Sequence, residues 1–350
     1  MSLLEERYRR VLWLLPAFYR AEREEEMVCA FMEGAGDLAD ADNPRPRWSE
    51  IASVAALAMR VRLGSVGAPP RYLPWGEAVR LVAVLGLFFQ AMMSFTWLAD
   101  LLRLYANAGY QTLLGEAGSV QRVQNIAQAL TYLLWLAVFV SLVRGRPRAA
   151  KALTLLALAL FYSPILQERG LMGEQSGEAL AVQSLLFVVP VLALLAGFHR
   201  DAPRPCRPWW VAVVPVGAGV VLQVTLTAVG SMALAPTINW QTWSWIWPWM
   251  SESGLACLAF LIMSIACFGT HLRTPGRRSP ALLLAMAILV MPMTFAHAFY
   301  LAFGAADPAT STMAAVNISQ LVALVLCGVT LTVLATKTTN GGRPTAPNRR

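Results

Sequence analysis

Eight apolar runs dominate the chain beyond residue 80, at 81–101, 126–143, 152–166, 179–198, 209–235, 254–270, 281–303 and 314–335. An α-helix rises about 1.5 Å per residue, so about 20 residues cross about 30 Å of hydrocarbon. The pattern predicts an all-α, polytopic membrane protein with eight transmembrane helices. The third run is short at 15 residues, and Lys151 beside it is suited to snorkel. The fifth, at 27 residues, fits with tilt. Asp100 is the only formally charged residue inside any run, one position from an end.

The first 77 residues have a different pattern. Leu4, Tyr8, Val11, Leu12 and Leu15 recur at helical spacing, and Ser2 with Glu5 forms a capping box. Pro16 ends that helix. A second is predicted over 17–32, with Phe18, Ala21, Met27, Val28 and Phe31 on its apolar side and Gly34 and Gly36 closing it. An Asp/Ala/Pro linker at 37–47 follows. Ser49 is the expected cap of a third helix over 50–63, which carries Ile51, Val54, Leu57, Ala58 and Val61 and stops at Gly64. The chain therefore divides into a helical prefix (1–77), an eight-span domain (78–335) and a tail (336–350) whose polar composition predicts disorder.

Charge sharpens this division. Residues 1–77 hold 22 of the 48 Lys, Arg, Asp and Glu side chains, with 10 Arg against 12 acids, a balance of −2. The net +8 of the whole chain arises in short loops. The segments 144–151, 199–208, 271–280 and 336–350 hold 14 basic residues, against three (Arg103, Arg122, Arg169) in 102–125, 167–178, 236–253 and 304–313. That alternation follows the positive-inside rule through all eight runs and predicts that both termini are cytoplasmic, in the cell membrane. A basic surface for nucleic acid is not indicated. The apolar stretch 11–18 is too short, and too closely flanked by charge, for a secretory signal. The five cysteines include no CxxC pair and read as small hydrophobes.

Chemistry is sparse. HExxH, GxSxG, Walker and GxGxxG patterns are absent. No catalytic residue, cofactor or metal site is predicted, and the chain does not read as an enzyme. Polar residues at membrane depth are functional candidates by default. Here they are Gln90, Gln223, His297 and Asn317, with Gln128, Gln183 and Gln320 as further amides. Each reads either as helix-packing glue or as lining for a path. On the outer side, Trp240, Trp243, Trp245, Trp247 and Trp249 fall within ten residues of an unusual loop, 236–253. Indole favours the headgroup layer, so the loop is expected to lie on the outer leaflet, with an aromatic ligand platform as the alternative.

The run LEERYRRVLWLLPAFYRAEREEEMVCAFMEG, followed by RPRWSEIASVAALAMRVRLG, resembles the N-terminal prefix of actinobacterial multi-span membrane proteins of unknown function. It is more distantly similar to HAAS-type and permease-associated prefixes. There a helix, a Leu-Pro break (here Leu15–Pro16), an acidic helix and a short helix ending in Gly (here Gly64) precede the spans. The resemblance implies a membrane-anchored signalling or accessory protein whose prefix docks a cytoplasmic protein or a permease subunit. A transporter or permease is the alternative, and the lipid bilayer is a partner in either case.

Overall fold

In the computed structural model the described residues are 2–35, 45–64, 68–106, 118–168, 175–199, 207–233, 240–273, 280–300 and 308–341. They form α1 (Leu3–Leu12), α2 (Ala17–Ala35), α3 (Trp48–Arg62), α4 (Leu73–Ala106), α5 (Val120–Val143) and α6 (Pro147–Glu168). The order continues with α7 (Gln175–Gly197), α8 (Val214–Ala233), α9 (Trp240–Met250), α10 (Glu252–Arg273), α11 (Pro280–Tyr300) and α12 (Pro308–Gly341). Short 3-10 turns at Pro70–Tyr72 and Trp209–Ala212 lead into α4 and α8. No strand occurs among the described residues.

Among the described residues, six helices are long and apolar enough to cross a membrane: Leu73–Ala106, Val120–Val143, Trp209–Met232, Ser253–Thr270, Pro280–Ala298 and Ser311–Thr338. This is the build of a multi-pass membrane protein. The described apolar part of α7 is a shorter stretch, Ser184–Gly197.

The bundle is organised around α4, which packs on α5, α7, α8 and α11. Small residues permit the closest approaches. A Cβ on Gly86 would lie 2.2 Å from Pro190 Cγ, so the α4–α7 crossing needs glycine there. Gly197 of α7 faces Val79 and Arg80 of α4, which makes the two helices antiparallel. Helix α8 runs parallel to α4: Gly219 meets Met92 and Phe95, Gln223 meets Asp100, and Arg103 meets Thr227. Helices α5 and α6 form a tight hairpin. Gly145 takes φ 70° in its turn, and Arg146 N–H donates to Ser141 O at 2.9 Å. On α6, Lys151 Nζ reaches Leu195 O of α7 at 2.8 Å.

The prefix builds a core of its own from Tyr8, Leu12, Leu15, Val28, Val54 and Ala58. The Tyr8 and Phe31 rings stack at 3.9 Å. Ser2 Oγ accepts from Glu5 N–H at 3.2 Å, as the capping pattern predicts. The Pro16 carbonyl receives Tyr19 and Arg20 N–H at 3.0 and 3.1 Å and starts α2. Arg9 ties the hairpin across its polar side, donating to Glu5 and Glu25, and its guanidinium holds the Glu25 carboxyl below its ordinary range.

Several sequence expectations shift. The cap of α3 is Arg47, not Ser49, because the Glu50 carboxylate turns back to accept from Arg47 N–H at 2.6 Å. Helix α2 continues to Ala35, and its Ala21 is exposed rather than on the packed side. Helix α12 runs through Gly341, so the start of the tail is helical. The residues Thr336 and Thr338 contain no breaker, and their hydroxyls bond back to Val333 O and Leu334 O. Residues 342–350 and the 37–44 part of the linker lie outside the described residues.

The prefix is seated on the bundle by a close contact. Gly64, at φ 74°, ends α3, and a Cβ on Gly76 of α4 would come within 1.9 Å of Leu63 O. Phe18 of α2 also meets Tyr72 at 5.6 Å, and α3 touches α7.

Candidate functional site

The polar candidates of the spans separate into pairs. His297, on α11, is 2% exposed. Its Nδ1 lies 2.9 Å from Met293 O one turn back, and its Nε2 lies 3.1 Å from the Gln320 amide on α12. A carbonyl partner means that Nδ1 carries a proton. The Gln320 atom facing Nε2 is Oε1, and the amide nitrogen is buried without a partner among the described residues; turning the amide over lets a ring protonated on Nδ1 alone accept from the NH2. The pair reads as an interhelical bond between antiparallel helices. Replacing Gln320 with leucine should lower stability by about 1–2 kcal/mol, because Nε2 loses its partner in a dry interface. The thermal midpoint of the detergent-solubilised protein measures this. No change in midpoint would mean that the bond contributes nothing.

Gln223 of α8 is half-buried, and its Nε2 donates to Asp100 Oδ1 of α4. Its own Oε1 is buried without a partner among the described residues. Gln90 is buried in α4, and Asn317 is half-buried in α12. Among the described residues, neither shares a hydrogen bond with Gln223 or His297. The Gln183 side chain lies outside the described residues.

A cleft of about 450 Å³ opens at the end of α4 away from the prefix. Trp97, Asp100 and Arg103 of α4 line it with Asn125, Gln128 and Tyr132 of α5. Gln128 Nε2 donates to the Tyr132 hydroxyl at 2.8 Å. Arg103 Nη1 donates to Thr227 Oγ1 of α8 at 3.2 Å. Sequence reasoning noted Asp100 and Gln128 separately and missed the cleft. The available signal was spacing, since Asn125, Gln128 and Tyr132 recur on one helix face opposite the Asp100–Arg103 turn. A second crevice, of about 60 Å³, is apolar and lies between α4, α7, α10 and α11. Pro190, Pro292, Met263, Met286 and Met293 are among the residues around it.

The tryptophan segment is a helix rather than a loop. Helix α9 packs on α12 and α10, with Ser244 and Pro248 buried. The turn into α10 is closed by Gly254, where a Cβ would lie 1.9 Å from Pro248 O, and by Ser251 Oγ accepting from Gly254 N–H at 3.1 Å. Trp243 and Trp247 share a face with ring centroids 6.0 Å apart. Trp245 and Trp247 are exposed, Trp249 is half-buried, and the Trp240 side chain lies outside the described residues. No group of three or more His, Cys, Asp or Glu suited to a metal occurs among the described residues. No protein-family model, no curated protein and no solved structure matches this chain.

Proposed function

We propose that this is an eight-span cell-membrane protein with both termini cytoplasmic, acting as a signalling or accessory component that docks a partner through its prefix. One observation carries the docking reading. The prefix folds around its own core on the end of α4, yet leaves Trp13 and Trp48 72% and 85% exposed. Large apolar side chains held open on a folded module mark interaction surfaces. Trp13 is further held in place by Arg20, whose guanidinium stands 5.5 Å over the ring. Aromatic anchors of this kind dominate the energetics of protein interfaces.

The span count draws support from α6 and α7, which cover the third and fourth apolar runs, and from the parallel course of α4 and α8. A parallel pair separated by three helices requires an odd number of crossings between them. The test is cysteine labelling in a background lacking the five native thiols. Single cysteines near Glu116, Glu174 and Trp245 should react from outside. Those near Arg146, Arg204 and Arg277 should react only after permeabilisation. Labelling of both sets from one side would overturn the topology.

The transporter alternative calls for polar groups strung along one path. Gln223 and His297 instead bond to different neighbours, Asp100 and Gln320, which favours the accessory reading. For docking, a photo-crosslinking amino acid at Trp13 or Trp48 should give a discrete protein adduct in cells. The same probe at Glu22, on the polar side of α2, should not. Lipid adducts alone at Trp13 and Trp48 would reassign those side chains to the bilayer.

A further inference from the structure

Asp100 and Arg103 stand one turn apart on α4 with opposite charges, yet neither forms an ion pair among the described residues. Each is tied instead to α8, Asp100 by Gln223 and Arg103 to Thr227. Those ties hold an anionic and a cationic group side by side on the wall of the cleft. Its volume of about 450 Å³ falls within the range of about 300–1,000 Å³ usual for small-ligand sites. Trp97 adds an aromatic side chain to the lining, and Gln128 with Tyr132 supplies neutral polar groups on the opposite wall.

Depth narrows the ligand class. Asp100 lies 20 residues beyond Arg80 on the same helix, a rise of about 30 Å, which matches the hydrocarbon thickness. A spanning α4 therefore places the cleft at headgroup level, with Leu101 and Leu104 on its apolar flank. We infer that this cleft binds a zwitterion carrying an ammonium and a phosphate, the ammonium at Asp100 and the phosphate at Arg103. A phosphatidylethanolamine headgroup and free phosphoethanolamine present the same chemistry.

The test uses the full chain, delipidated in detergent. Retention of phosphatidylethanolamine and phosphatidylglycerol with the same acyl chains is compared by native mass spectrometry. Phosphoethanolamine is titrated separately by calorimetry. Phosphatidylethanolamine should be favoured by about tenfold or more, Asp100→Asn should abolish that preference, and Arg103→Gln should lower retention of both lipids about tenfold while Arg103→Lys keeps it. Comparable binding of phosphoethanolamine with the same variant pattern would confirm the site and assign it to a soluble zwitterion. Equal retention of the two lipids with no phosphoethanolamine binding would overturn the inference. So would retention of both lipids unchanged in Arg103→Gln, a variant outside the Asp100–Gln223 bond and therefore decisive if Asp100→Asn does not fold.

Discussion

Replacing Gly86 with leucine is expected to disrupt the packing of α4 on α7 severely. The α-carbon of Gly86 faces the Pro190 ring so closely that even a Cβ would sit 2.2 Å from Cγ and 2.5 Å from Cβ. The proline ring cannot rotate away as a flexible side chain would. Helix α4 also packs on α5, α8 and α11, so a shift that relieves the clash degrades other contacts. Overpacking of this kind costs about 1–3 kcal/mol and more where the backbone is pinned. The yield of monodisperse protein and its thermal midpoint should both fall. Gly230→Ala is the matched control, because nothing lies within 4 Å of its Cβ position. That change should be neutral or slightly stabilising through helix propensity. Equal behaviour of the two variants would mean that α4 and α7 do not cross at Gly86.

Leu12→Asp is the second change expected to have a large effect, and it is confined to the prefix. Leu12 is fully buried among Tyr8, Leu15, Val28, Val54 and Ala58. The substitution removes its methyl groups and places a carboxylate in an apolar core, at a cost of about 2–5 kcal/mol. A core this small has little stability to lose. Limited proteolysis should cut the variant prefix quickly while the spans remain intact. Cysteine labelling of the spans should be unchanged. Unaltered protease resistance would mean that this face of α1 is not packed.

Much of the fold was legible because membrane helices and caps leave local signatures. The apolar runs fall on helices, six of them long and apolar enough to cross a membrane among the described residues, and the Ser2 cap, the Pro16 break and the Gly64 stop lie where turn chemistry requires them. What the sequence could not reveal depends on partners distant along the chain. Ser49 was a sound cap by residue type, but the Glu50 carboxylate reached Arg47 N–H instead. The tryptophan segment read as a loop because Pro248 and the polar flanks hide its period, whereas packing on α12 makes it a helix. The polar candidates were found singly; that Gln223 answers Asp100, more than a hundred residues away, and that His297 answers Gln320 could be seen only in three dimensions.

The contact between Leu63 O and Gly76 has a mechanical consequence. It clamps the end of α3 directly onto the first turns of α4. The prefix is thereby geared to the central helix rather than suspended from a string. Any screw or tilt of α4 would swing Trp13 and Trp48 through an arc, because a rigid rod about 50 Å long converts a few degrees at one end into several ångströms at the other. A displacement of α4 beside Asp100 would thus be felt at Trp13 and Trp48, beyond its other end.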